Sequence, residues 1–271
     1  MDRKQMLFLL IPLLFVLILP ISAHANVPAR ADAYDRGDDA ATLRQLKASA
    51  EQGHVSSQYD LGVLYTNGRG VHRDPQKALH WFQLASEQGH PLAQYNLGVM
   101  YHEGQSVSQD FQIASHWYRL AAKQGLAEAQ SNLGVLYFLG QGVPQNDQEA
   151  AYWYRLAAEQ GDPDAQVMLG NMFRLGRGVE ENKREAVRWW KKAADTGNEF
   201  AQYQLGLSYA VNTGMGINHD TIEAYKWFVL SASQGNKDAE SLMTSIGEEM
   251  TDTQIAEARR LAQSWIANHK K

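Results

Sequence analysis

The stretch Ala93–Gly104, AQYNLGVMYHEG, followed by Ala114–Gly125, ASHWYRLAAKQG, decides how this chain is read. Ala93, Leu97 and Tyr101 recur every four residues, the spacing of one face of an α-helix. Gly104 breaks that pattern. Ala114, Trp117, Leu120 and Ala121 then form a second helical stripe, which Gly125 ends in a left-handed cap. The small residues Gly98 and Ala121 allow the two helices to approach closely, with the tryptophan filling the space beside them. A helix pair of this kind cannot bury both faces alone, and it is completed by stacking on further copies.

Those copies are present. WYRLAAKQG at Trp117 returns as WYRLAAEQG at Trp153, 36 residues later. Gly53, Gly89, Gly125, Gly161 and Gly197 keep the same interval, and Gly235 follows after 38. A Leu-Gly pair recurs at Leu61, Leu97, Leu133, Leu169 and Leu205, each with an aromatic three residues beyond the glycine. Each unit then has a glycine-bearing turn, an alanine and an aromatic pair: Trp81-Phe82, Trp117-Tyr118, Trp153-Tyr154, Trp189-Trp190 and Trp227-Phe228. So many residue classes in step at a fixed period are the mark of a repeat architecture. The predicted fold is all-α, a right-handed α-solenoid of stacked helix-turn-helix units of about 36 residues.

This pattern resembles the Sel-one-like repeat (SLR) family, a branch of the tetratricopeptide-like solenoids. The resemblance covers five units, 55–90, 91–126, 127–162, 163–198 and 199–235. Two departures stand out. Ser106 occupies the turn position where other units have Gly70, Gly142 and Gly178, and the fifth unit has a two-residue insertion within AVNTGMGI from Ala210. Residues 26–54 are expected to supply an N-terminal capping helix. Residues 236–271 are expected to supply C-terminal capping helices: Lys237–Ile246 starts like a first helix but lacks the Leu-Gly pair, and the capping-box pattern TDTQ at Thr251 starts a final helix.

Composition narrows the class. The 271 residues are 44% hydrophobic and 20% charged, as in ordinary globular chains. The net charge of −5 does not suggest nucleic acid. With no cysteine, disulfides, thiolate metal sites and cysteine nucleophiles are excluded. Arg3 and Lys4, the apolar run Leu7–Ile21 and Ala23-His24-Ala25 read as a signal peptide over 1–25, cleaved near Asn26. An uncleaved anchor is the alternative. A periplasmic or secreted protein is expected, with no membrane span after cleavage.

No catalytic motif emerges. The chain has no GK[ST] phosphate loop, no H-E-x-x-H and no S-x-x-K. His80 and His116 share a slot that other units fill with Tyr152, Arg188 and Lys226, so they read as solvated. Asp74, Asp110 and Asn146 read as caps of second helices. The Trp-aromatic pairs lie on the alanine stripe and read as core rather than as sugar-stacking platforms. No catalytic, cofactor or metal site is assigned. Cysteine-rich relatives imply penicillin-binding or β-lactamase activity, for which this chain lacks the cysteines and a serine-lysine pair.

Function is sought where the repeats differ. By analogy with tetratricopeptide solenoids, the first helices line a concave surface. The residues two, six and nine places beyond each first-helix alanine are unusually apolar for a water-facing stripe. Tyr59, Tyr95, Val99, His102, Phe138, Asn171, Arg174 and Tyr203 are therefore the candidate partner-binding residues. Cover by neighbouring helices is the competing explanation. The recurrent Gln58, Gln94, Gln130, Gln166 and Gln202 read as a hydrogen-bond ladder between units. The favoured function is a repeat scaffold that binds a protein or peptide partner without catalysis. The alternatives are a cell-envelope enzyme or binding protein acting on peptidoglycan or β-lactams, and a structural subunit that oligomerises through its ends. Family resemblance implies envelope assembly, signalling or host contact as settings.

Overall fold

The computed structural model describes residues 40–210 and 218–269. The expected signal peptide and the insertion around residues 211–217 lie outside the described residues. Thirteen helices and no strand occur among the described residues. The chain opens with α1 (Ala40–Glu51). Five hairpins follow: α2 (Val55–Asn67) with α3 (Pro75–Glu87), α4 (Pro91–Glu103) with α5 (Phe111–Lys123), α6 (Ala127–Leu139) with α7 (Asp147–Glu159), α8 (Pro163–Leu175) with α9 (Lys183–Asp195), and α10 (Glu199–Ala210) with α11 (Thr221–Ala232). It closes with α12 (Lys237–Gly247) and α13 (Asp252–His269). Helices pack chiefly on their chain neighbours, as a solenoid requires, except that α13 folds back onto α11.

The repeated residues account for this packing. Ala93, Leu97, Ala114 and Ala121 are fully buried, as are their counterparts Ala129, Leu133, Ala150 and Ala157. Full burial of a leucine or phenylalanine side chain contributes about 1.5–3 kcal/mol. The Leu-Gly glycine is required by contact. A Cβ on Gly98 would lie 2.4 Å from the ring of Tyr118. In every unit the ring against this glycine belongs to the second aromatic of the pair: Phe82, Tyr118, Tyr154, Trp190 and Phe228. The tryptophan expected beside Gly98 instead packs towards the neighbouring unit. Trp117 borders the core of unit one, and Trp153 belongs to the core cluster of unit two.

The turns repeat in detail as well. The backbone N–H of the residue capping each second helix donates to the carbonyl of the aromatic that follows the Leu-Gly pair: Asp74 to Tyr65, Asp110 to Tyr101, Asn146 to Tyr137 and Asn182 to Phe173. The side chains of Asp74, Asp110 and Asn146 accept from the first turn of the helix they start, as their placement predicts. Ser106 has φ 63° and is the one described non-glycine residue with positive φ.

The glutamines form the ladder. Gln58, Gln94, Gln130, Gln166 and Gln202 are all buried. Each Nε2 donates to a carbonyl near the end of the preceding second helix, at Ala50, Ser86, Ala122, Ala158 and Ala194. The Oε1 of four of them accepts from the glutamine of the next Gln-Gly pair: Gln88, Gln124, Gln160 and Gln234, at 2.7 to 2.9 Å. The fourth unit ends in Thr196-Gly197 instead. The buried Oε1 of Gln166 accordingly has no hydrogen-bond partner.

Both ends are covered. Leu46 and Ala50 of α1 belong to the first core cluster. At the far end, Thr251 and Gln254 exchange hydrogen bonds in a capping box that starts α13. Trp265 meets Trp227 edge-on at 6.4 Å and stacks on His269 at 4.2 Å.

Candidate functional site

The eight candidate partner-binding residues divide by burial. Tyr59, Tyr95, Val99 and Phe138 are buried within the single chain, between 1% and 9% exposed. Tyr59 stacks on His90 at 4.4 Å and tilts against Phe82. Tyr95 lies against Tyr118 at 5.9 Å, and burial pushes its phenol up to about 12. Phe138 is roofed by the Arg177 guanidinium at 4.2 Å, and Arg177 is itself held by Asp147. His102, Asn171, Arg174 and Tyr203 keep partial exposure. His102 meets Phe111 edge-on at 5.1 Å, and burial lowers its pKa. Tyr95 and His102 share Tyr118 as a neighbour; Val99 belongs to the same unit, Asn171 and Arg174 to unit four, and Tyr59, Phe138 and Tyr203 to units one, three and five. A partner docking on this stripe would therefore meet four of the eight directly.

A cavity opens where the stripe is least filled. It has a volume of about 270 Å3 and lies between the first two units, among α2, α3 and α4. Val63, Ala78, Phe82, Val99 and Met100 supply apolar wall. Asn67, Asn96, Gln105 and Arg73 supply polar groups. Comparison of equivalent positions explains why it opens here. The ninth place beyond the first-helix alanine position, which is Ser57 in unit one, is Thr66 in unit one, His102 in unit two and Phe138 in unit three. The first residue of the second helix is Pro75 in unit one and Phe111 in unit two. In unit two, His102 and Phe111 fill the space with each other. In unit three, Phe138 lies under Arg177. Unit one has neither arrangement, and Gln105 stands where Arg177 does two units later. Arg73, Asn96 and Gln105 were not singled out from the sequence. The signal was available in the small members Thr66 and Pro75 of an otherwise bulky register.

A second polar cluster lies at the starts of the first helices of units three and four. Asp162 caps α8 by accepting from the Ala165 N–H at 2.6 Å, and it accepts from Ser131 Oγ at 3.4 Å. Asp164 accepts from Asn198 Nδ2 at 3.3 Å. Burial, reinforced by the neighbouring carboxylates of Asp164 and Glu128, raises the pKa of Asp162, and burial raises that of Asp164.

The histidines at the repeated slot, His80 and His116, are exposed. Among the described residues, no group of three or more His, Asp or Glu side chains is placed to hold a metal ion. No helix of the described residues is long and apolar enough to cross a membrane.

Comparison with known proteins agrees with this architecture. The Sel1 repeat profile matches residues 55–90, 91–126, 127–162, 163–198 and 200–236. A comparison with curated proteins finds no match. Among solved structures, the chain is similar to a protective antigen present in uropathogenic Escherichia coli strains that displays an SLR fold. The two share 36% identity with a TM-score of 0.74, over 84% of this chain and 48% of that one. The chain thus spans about half the length of that antigen. It is also similar to a Sel1 repeat protein from Oxalobacter formigenes, at 34% identity and a TM-score of 0.67, over 81% of this chain and 86% of that one. With five matched repeats and two solved relatives above 30% identity, the chain belongs to the Sel1 repeat family.

Proposed function

We propose that this protein is a non-catalytic scaffold that acts in the periplasm or outside the cell. It holds a protein partner against its first-helix face. The cavity between units one and two carries this reading. An apolar wall with amides and one guanidinium at hand suits a single apolar side chain of a partner peptide, oriented by hydrogen bonds to its backbone. The sequence Arg3–Ala25 supports export, and similarity to a protective antigen of uropathogenic Escherichia coli favours a protein that meets the cell exterior. His102 and Tyr203 extend the contact surface along the stripe, and Asn171 and Arg174 make it more polar in the fourth unit.

The test is a cavity-filling variant. Thr66 is exposed, and unit three tolerates phenylalanine at the equivalent position, so Thr66→Phe should fold. The chain beginning at Asn26 would be immobilised and challenged with envelope and culture-medium fractions beside Thr66→Phe. A partner captured by the wild type and lost by the variant, at unchanged helical circular dichroism, supports the reading. Equal capture by both places recognition elsewhere on the molecule.

A further inference from the structure

We infer that Arg174 and Asn171 on α8 form a subsite for the side-chain carboxylate of a glutamate or aspartate presented by a protein partner. The inference rests on reading the first-helix face as the partner surface, and it does not depend on the cavity of units one and two. The pair is a double departure from the repeat. Six places beyond the first-helix alanine position stand Val63, Val99, Val135, Asn171 and Leu207. Nine places beyond it stand Thr66, His102, Phe138, Arg174 and Ala210. Unit four alone puts an amide in the first series and an arginine in the second. Valine at the first place, with threonine, phenylalanine or alanine at the second, serves the fold elsewhere, so packing does not call for this pair.

The two side chains share one face of α8. They are three residues apart on the helix, which sets their Cβ atoms about 5–6 Å from each other. Both keep partial exposure, so a partner can reach them. Asn171 Oδ1 and Arg174 Nε are buried without a hydrogen-bond partner, whereas Asn171 Nδ2 and the two outer nitrogens of Arg174 are not among the buried unpartnered atoms. The outward side of the pair is therefore made of donors. Arg174 forms no ion pair among the described residues. Burial lowers its pKa, and no carboxylate acts to raise it. Residues 211–217, VNTGMGI, which follow α10 in the chain, contain no acidic residue either. A half-buried charge of this kind is costly unless it is paired. Other arginines of the chain show the pairing that is missing here. Arg177 donates to both oxygens of Asp147, and Arg260 donates to both oxygens of Glu257.

A carboxylate fits the donor set. Its two oxygens match the two outer nitrogens of the guanidinium fork, and a lone pair remains for Asn171 Nδ2. The chain carries a net charge of −5, so it repels acidic peptides at long range, and binding of one must come from a local site.

The experiment titrates the chain beginning at Asn26 with N-acetylated, C-amidated tetraglutamate and with tetraglutamine blocked in the same way, by calorimetry and by amide NMR. The blocked ends leave side-chain carboxylates as the only anions of the peptide. Arg174→Gln removes the charge, Arg174→Lys keeps the charge without the fork, and Asn171→Val restores the residue of units one to three. Arg188→Gln is the control, an exposed arginine on α9 that faces Glu185. Helical circular dichroism is recorded for each. Tetraglutamate should bind about tenfold tighter than tetraglutamine. Arg174→Gln should abolish that difference, Arg174→Lys and Asn171→Val should each reduce it, and Arg188→Gln should leave it intact. Amide shifts should centre on α8 and α10. Equal or absent binding of the two peptides, equal losses in Arg174→Gln and Arg188→Gln, or shifts confined to the cavity of units one and two would overturn the subsite. Inorganic phosphate displacing the peptide at equal concentration would overturn the choice of a carboxylate. An envelope partner lost by Thr66→Phe but captured equally by the wild type and Arg174→Gln would sink the subsite and leave the cavity reading standing.

Discussion

Replacing Thr196 by glutamine should stabilise the protein, although glutamine is not a better helix-ending residue in itself. The reason is the one interrupted rung of the glutamine ladder. In four units the buried glutamine of the first helix accepts a hydrogen bond of 2.7 to 2.9 Å from the Gln-Gly glutamine, but the Oε1 of Gln166 has none. Position 196 is exposed, like its counterparts Gln88, Gln124, Gln160 and Gln234, so the longer side chain has room to lie as they do. A new hydrogen bond is worth about 0.5–1.5 kcal/mol, and relieving a buried unpaired acceptor about 1–3 kcal/mol. Against this stands the loss of the Thr196 hydroxyl bond to the Ala193 carbonyl. The net expectation is about 1 kcal/mol, or a rise of about 2–4 °C in Tm for a domain of this size. Units of a solenoid can open separately, so amide hydrogen exchange across α8 and α9 is the sharper assay. Gln160→Thr performs the reverse operation on Gln130 and should cost a similar amount. If Thr196→Gln leaves exchange unchanged, or if Gln160→Thr is neutral, the ladder does not carry stability and the reasoning fails.

Three further outcomes follow from the same geometry. Gly98→Ala should destabilise by about 1–3 kcal/mol through overpacking, because its Cβ would meet the Tyr118 ring at 2.4 Å; chemical denaturation measures it. Ser106→Gly should stabilise the fold by about 0.5–1 kcal/mol, read as a raised denaturation midpoint. The left-handed backbone at φ 63° costs a side chain about 1–2 kcal/mol, part of which glycine returns as entropy of the unfolded chain. The double variant Asp162→Asn, Asp164→Asn should be more stable than the wild type at pH 7. Both carboxyl pKa values are raised in the folded state, so the wild type binds these protons more tightly when folded. Their favourable contribution is complete below the ordinary pKa of 3.8 and is lost as pH rises through the raised values. Denaturant midpoints of the two proteins, measured from pH 7 downwards, should converge as pH falls towards 3.8.

Much of the fold is legible in the chain because a repeat states each packing rule five times. Leu97 and Gly98 mean little alone, but the same pair at Leu61, Leu133, Leu169 and Leu205 marks one contact. The caps at Asp74, Asp110 and Asn146, the glutamine ladder and the capping box at Thr251 could be read for the same reason: each is local, and its partner lies at a fixed offset. The candidate site was less legible. The stripe containing Tyr59, Tyr95, Val99 and Phe138 is apolar, and an apolar residue on a solenoid helix can face a partner or a neighbouring helix. Periodicity gives the direction of a side chain around its own helix and says nothing of what roofs it. Phe138 is the clear case, since its cover is Arg177 from the following unit.

The sequence by itself determined the unit, its length, its two helices, the residues that end them and the order in which units stack. All of these follow from contacts at short or constant separation, which a period makes visible. Only the tertiary structure decided where the stack departs from its own rule. It shows that Thr66 and Pro75 leave a cavity, that Ser131 donates to the Asp162 carboxylate that caps α8, and that Thr196 leaves Gln166 unpaired. These features arise from the volumes and hydrogen-bonding capacities of side chains from different helices meeting in one place. No single repeat contains that sum.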